Sequence, residues 1–262
     1  MFRGFDLLLQ PQQIWVDNYH KTGNTFYASH LTKTKKALEN FTHPDGIIDA
    51  TKMQEDWFPE FDADVFISHS HQDKEIAIAL AGYLKVEFDI TCFVDSCVWG
   101  YADDLLKAID DKYCLFPGGE TYSYPKRNLS TSHVHMMLSA AITKMIDKCE
   151  CLFFLNTPNS IKPSSIIQGG ETSSPWLYFE IATTQLIRQK TPDTHRGMIK
   201  KALDEESRGF DMVFNYNVMT NHLTDLNASD IIAWNKEYNS DKSKHALDLL
   251  YNLKSVQNAD AH

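Results

Sequence analysis

The chain predicts an α/β fold of the doubly wound class, a mainly parallel sheet with helices on both faces. Two observations carry this. Short continuous apolar runs, rich in β-branched and aromatic residues, recur at residues 64–68, 90–95 and 151–155, as in strands buried on both faces. Segments with helical spacing of apolar residues separate them, and alternation of this kind builds a parallel sheet. Composition permits a core of that size: of 262 residues, 43% are hydrophobic and 23% charged, the balance of an ordinary globular chain.

Taken in order, residues 1–58 read as an N-terminal helical extension with turns. Ile14, Trp15 and Tyr19 fall in one segment, residues 31–41 form another, and His43-Pro44-Asp45-Gly46 marks a turn. The opening Met1-Phe2-Arg3-Gly4-Phe5-Asp6-Leu7-Leu8-Leu9 is interrupted by Asp6 and is too short for a signal peptide. It is expected to belong to the fold. No apolar run approaches the ~20 residues that cross a bilayer.

Residues 59–262 are expected to form the sheet domain. After the first strand, Ile76, Leu80, Tyr83 and Leu84 recur at helical spacing, with Ser70-x-x-Asp73 placed as a capping box. Strand 90–95 follows, then a short amphipathic helix over 103–114. Residues 115–132, with Pro117, Gly118, Gly119 and Pro125, read as an inserted loop. A helix over 138–149 leads into strand 151–155. Beyond the long loop 157–173, Ser174-Pro175-Trp176 opens another helix, Ser174 as N-cap and Pro175 in its first position. Met212-Val213-Phe214 begins a last strand, and Ala246, Leu249, Leu250 and Leu253 mark a C-terminal helix.

Charge and cysteine usage exclude some classes. Acidic residues outnumber basic ones 35 to 25, a formal charge of −10, which argues against a nucleic-acid binder. Five cysteines, an odd count, show no C-x-x-C spacing, so a reducing cytoplasmic location is expected. There is no G-x-G-x-x-G and no P-loop, which disfavours a dehydrogenase or nucleoside triphosphatase.

Parallel sheets bind ligands at the carboxyl ends of their strands. Those ends carry Ser68-His69-Ser70-His71 and Asp95-Ser96. One constellation there is His69-x-His71-x-Asp73, which with His133-x-His135 resembles the zinc ligands of metallo-β-lactamase-like hydrolases. Lys74, however, follows Asp73 where that pattern needs a ligand, and His133 and His135 diverge on a helix. No metal is expected. The second constellation is Trp176-x-x-x-Glu180, whose spacing puts both side chains on one helical face. By itself that pair reads more simply as a core tryptophan with a surface glutamate.

Taken together, Asp64-Val65-Phe66-Ile67-Ser68-His69-Ser70, Asp73, Phe93-x-Asp95, Trp99-Gly100, Ala141-Ile142, Leu152-Phe153-Phe154-Leu155 and Ser174-x-Trp176-x-x-x-Glu180 resemble the Toll/interleukin-1 receptor (TIR) domain in its bacterial form. The resemblance covers about residues 62–186. It implies a flavodoxin-like sheet and places a BB loop after Asp95. The insertion at 115–132 and the long loop 157–173 depart from the family pattern.

The resemblance also implies a function. Many bacterial and plant TIR proteins break the N-glycosidic bond of NAD, with the W-x-x-x-E glutamate essential, here Glu180. NAD would then be substrate and not cofactor. Ser68, His69, Ser70, Asp95, Trp99, Tyr101 and Trp176 are the expected substrate-binding residues, with Phe116, Tyr122 and Tyr124 as candidates for a lid. By analogy with Thoeris-type anti-phage systems, the ADP-ribose-derived product, cyclic or conjugated, would signal to a separate effector, and the domains would self-associate. No nucleic acid or membrane partner is expected. The alternatives are a non-catalytic TIR scaffold and a zinc-dependent hydrolase at His69, His71 and Asp73.

Overall fold

The computed structural model describes residues 1–9, 16–31, 38–42, 48–98, 102–163, 170–172, 174–196 and 216–255. In chain order its first elements are β1 (Arg3–Leu8), α1 (Val16–Leu31), α2 (Ala50–Trp57), β2 (Val65–Ser68), α3 (Lys74–Phe88), β3 (Cys92–Phe93), α4 (Asp95–Val98) and α5 (Ala102–Ile109). There follow α6 (Tyr124–Lys148), β4 (Cys151–Asn156), β5 (Lys162–Pro163), β6 (Gly170–Thr172), α7 (Pro175–Leu186) and α8 (Pro192–His195). β7 (Tyr216–Val218), β8 (Thr224–Asn227), α9 (Ala228–Ser240) and α10 (Ala246–Leu253) complete the chain order.

Five strands form one sheet in the order β3-β2-β4-β1-β8, and every neighbouring pair is parallel. Helices cover both faces, so the fold is α/β and doubly wound. β5, β6 and β7 form a separate antiparallel sheet. The sequence β3-β2-β4 repeats the first three slots of the flavodoxin-like succession 2-1-3-4-5. The fourth slot is different: it holds β1, the strand nearest the N-terminus.

That strand corrects the expectation of a helical extension over residues 1–58. Arg3–Leu8 pairs with β4 over its full length and with β8 from Phe5 onward. The strand escapes an apolar-run search because Arg3, Gly4 and Asp6 interrupt it. Its apolar residues follow the two-residue period instead: Phe5 and Leu7 are fully buried on one face.

Alternation sorts the whole core. Phe5, Leu7, Val65, Ile67, Cys92, Cys151, Phe153, Leu155 and Leu226 pack against residues of α1, α3, α9 and α10. Phe66, Phe93, Leu152 and Phe154 point the other way, toward α2, α5, α6 and α7. On the first face α1 and α3 cross closely at two glycines. A Cβ on Gly23 would lie 2.2 Å from the Ile78 carbonyl oxygen, and one on Gly82 at 2.2 Å from that of Tyr19. The Tyr27 hydroxyl completes this contact by donating to the Cys92 carbonyl at 2.9 Å.

The inserted loop is shorter than the sequence suggests. Only its first part is irregular, with Gly118 and Gly119 at φ +111° and +77° and a bridge between Leu115 and Tyr122. From Tyr124 the chain is already in α6. Pro125 falls in the first helical turn, where its missing N–H costs no hydrogen bond. The mostly exposed residues behind it lack the apolar spacing that betrays a helix. Strand 90–95 contracts to Cys92–Phe93 in the ladder, the helix expected at 103–114 is α5 followed by a π-helical turn, and the C-terminal helix is α10. The strand expected from Met212 lies outside the described residues. Among the described residues no helix is long and apolar enough to cross a membrane. All five cysteines are free and buried, and burial pushes the thiols of Cys92, Cys149 and Cys151 up.

Candidate functional site

The helix that carries Glu180 is fixed at its start as the sequence predicts. Ser174 is the N-cap, its hydroxyl accepting from the Leu177 N–H at 3.3 Å, and Pro175 occupies the first turn. Leu177 and Ile181 anchor α7 to the sheet face that bears Phe66 and Phe154. Glu180 lies between them and is therefore carried inward, at 4% exposure.

Its partner comes from 112 residues earlier: the Ser68 hydroxyl donates to Glu180 Oε2 at 2.5 Å. Ser68 is the last residue of β2 and is 1% exposed. It lies two positions after Phe66, so it faces the same helices. From β2 the chain passes to β3 on one side, and β4 lies on the other. The carboxyl ends of β2 and β4 thus flank the point where the winding reverses, the usual ligand crevice of an open parallel sheet. A carboxylate held there by a short hydrogen bond, away from water, interacts strongly with any positive charge that develops beside it.

The neighbouring strand-end residues divide by role. His69 Nε2 lies 3.2 Å from Ser96 Oγ and its Nδ1 3.3 Å from the Ile67 carbonyl, so the ring bridges the ends of β2 and β3. Ser70 is buried and caps the turn before α3 through its backbone, its carbonyl accepting from Asp73 N–H at 2.8 Å. The expected Ser70–Asp73 capping box is absent, for Ser70 makes no side-chain cap bond. Asp73 instead accepts from Thr157 Oγ1 at 2.6 Å and from Asn159 Nδ2 at 2.8 Å. Both oxygens are used to staple the loop after β4 to the start of α3.

Asp73 is thus engaged by two donors from the loop after β4. Among the described residues, His69, His71 and Asp73 do not gather into a ligand set, and the group that does is Glu150, His245 and Asp248. This second cluster already surrounds a cation. Arg196 donates to Glu150 at 2.9 and 3.0 Å, to Asp248 at 3.0 and 3.3 Å, and to His245 Nδ1 at 3.1 Å. Tyr251 adds a bond to Glu150 at 3.0 Å. The donor set fits a guanidinium, and it ties the segment after α8 to α10 and to the start of β4.

Trp176 is half-buried and meets His135 of α6 edge-on, ring centres 5.4 Å apart; burial pushes the His135 imidazole down. The tryptophan therefore packs α7 on α6. His133, two residues before, is exposed. Asp95 opens α4, but its side chain, like Trp99 and Tyr101, lies outside the described residues. Phe116, Tyr122 and Tyr124 are exposed, and Tyr122 donates to Asp111.

Sequence reasoning missed one acidic residue on this face. Asp6 is level with Phe154 and Ser68 across the sheet, through the pairings Asp6–Phe154 and Ser68–Phe154. It is 6% exposed, and Asn156 Nδ2 donates to its Oδ2 at 3.2 Å. Burial pushes its carboxyl up, with Asn156 and Thr220 offsetting part of the effect. The available signal was period two: an acid flanked by Phe5 and Leu7 is either on a solvent face or buried for a reason.

Comparison with protein-family models, with curated proteins and with solved structures found no match.

Proposed function

We propose that this chain is a TIR-type enzyme that cleaves the N-glycosidic bond of NAD, with Glu180 as the catalytic carboxylate. The observation that supports it is the Ser68–Glu180 pair: the glutamate of the W-x-x-x-E helix meets the end of the D-x-F-I-S strand at 2.5 Å, at the carboxyl edge of a parallel sheet. The chemistry suits one acid. Nicotinamide leaves from a cationic ring without protonation, and its departure places positive charge on the ribose. A fixed carboxylate in a water-poor setting stabilises that charge without reorganising. His69 and Ser96, at the adjoining strand ends, line the approach in this reading. Water as the nucleophile gives ADP-ribose; an atom of the same molecule gives a cyclic isomer, which requires water to be excluded. A signalling product sensed by a separate effector, and assembly through TIR–TIR contacts, belong to the same proposal.

One observation favours a second reading. Ser68 and Glu180 are both closed off from solvent, as a structural tie between β2 and α7 would be, and a TIR module that only binds other proteins needs no more than that tie. Purified protein incubated with NAD separates the two. Release of nicotinamide, lost in Glu180→Ala, is the expected result; no turnover at any protein concentration, with a folded protein, favours the interaction module.

A further inference from the structure

The polar groups on the helix-bearing face beside α7 do not end at Glu180. Ser68, Phe154 and Asp6 form one row across β2, β4 and β1, and Ser68 holds Glu180. Strand spacing places the Asp6 and Ser68 backbones about 10 Å apart on the same face. Asp6 is more than nine-tenths buried, and its Oδ1 has no hydrogen-bond partner among the described residues. A buried carboxylate oxygen left so is costly, and it calls for a partner such as a bound ligand, a water or an ion.

The surroundings indicate what reaches it. Two residues further along β1, on the same face, Leu8 is 51% exposed. Its register partner Asn156 is only partly buried, and Asp225, level with Asp6 on β8, is exposed. The face therefore opens to solvent one residue pair above Asp6, at the carboxyl end of the sheet, where ligands of parallel sheets enter. Asn156 donates to Oδ2 and the Thr220 side chain also stands by the carboxyl, yet Oδ1 has no donor within hydrogen-bond distance among the described residues and is left to accept. An acceptor in this position selects a ligand with an O–H or N–H to give.

We propose that Asp6 is the second recognition residue of the site, its Oδ1 accepting a hydrogen bond from a hydroxyl or amide N–H of the bound nucleotide. This rests on the reading of NAD as the substrate. Asp6 lies outside the TIR-like segment and in a slot of the sheet filled by the N-terminal strand, so it would set the ligand preference of this chain in particular. It is a binding residue; bond cleavage stays with Glu180.

The test is NAD binding by calorimetry to Glu180→Gln, which removes turnover, and to the double variant Glu180→Gln/Asp6→Asn, with melting temperatures of both. After Asp6→Asn the remaining side-chain oxygen is claimed by Asn156, and the new amide N–H2 turns toward the ligand, donor against donor. A hydrogen bond to a charged group is lost, so affinity is expected to fall by about tenfold or more. The melting temperature is expected to hold or rise, since an unsatisfied buried carboxylate has gone. Equal NAD affinity in the two proteins overturns the role of Asp6 and leaves the NAD reading intact. A marked fall in melting temperature with Asp6→Asn overturns it too, by making the residue structural. If Glu180→Gln is folded and binds no NAD, the reading of the substrate fails and Asp6 falls with it.

Discussion

The two faces of the central sheet are built on opposite principles. Toward α1, α3, α9 and α10 the buried side chains are almost wholly apolar, and helices approach until only glycine fits at Gly23 and Gly82. Trp234 lies stacked on Phe88 with ring centres 3.8 Å apart, its indole N–H donating to the Ala246 carbonyl at 2.8 Å. Toward α6 and α7 the same strands bury Ser68 and Asp6, and α7 itself adds Glu180. Burying acids costs stability. The buried Asp73 and Glu150 are met by two or more donors each, whereas Asp6 and Glu180 stand on one face at the carboxyl end of the sheet, Asp6 with one oxygen unpaired among the described residues. Proteins relax the rules of core construction where they work.

Experiments that break this contrast begin on the apolar face. Trp234→Ala removes the largest fully buried side chain, and a loss of about 3–5 kcal/mol is expected in urea denaturation. A loss below about 1 kcal/mol would mean that α9 and α10 are not part of the cooperative unit. Gly82→Ala drives a methyl group into the Tyr19 carbonyl, and the same assay should show about 1–3 kcal/mol, because backbone and not a flexible side chain must give way. If the variant is as stable as the parent, α1 does not pack on α3 as described.

At the loops of the carboxyl end the effects on stability are smaller. Thr157→Val removes one of the two donors to Asp73 while keeping the volume, and about 1–2 kcal/mol is expected by chemical denaturation. No change would deny Asp73 its stapling role. The smallest effect concerns pH. Burial holds His135, His195 and His222 below their usual value. The unfolded chain therefore binds more protons as pH falls, so their contribution is present above about 6.5 and is lost as pH drops through the lowered folded values. Stability measured from about pH 7.5 down to about pH 5 should decline, and His135→Gln should flatten the curve; a rise toward acid would contradict the sign.

Much of this contrast was legible in the sequence. The strands at residues 64–68 and 151–155 announced themselves as apolar runs, and α7 through its Ser174-Pro175 start, because these signals are local. The W-x-x-x-E spacing put Trp176 and Glu180 on one face of a helix but did not say that the glutamate is buried; the structure carries it inward to Ser68. β1 was not legible, since Gly4 and Asp6 break the run that a central strand usually shows, and the signal that remains, Phe5 with Leu7, is too short to stand alone. β8 failed for the same reason: Thr224-Asp225-Leu226-Asn227 buries one residue strongly. The Arg196 cluster draws on residues from 150 to 251 and has no local pattern. Asp73 read as a cap because its true partners, Thr157 and Asn159, are more than 80 residues away.

The claim that the acid-bearing face is the working face turns on Glu180, and one paired measurement tests it most directly. Glu180→Gln keeps the acceptor for Ser68 and removes the charge, so nicotinamide release and melting temperature are read on the same sample. The account predicts a rate on NAD lower by about a hundredfold or more with a melting temperature near that of the parent. An unchanged rate, or a loss no larger than the fraction unfolded, would contradict it.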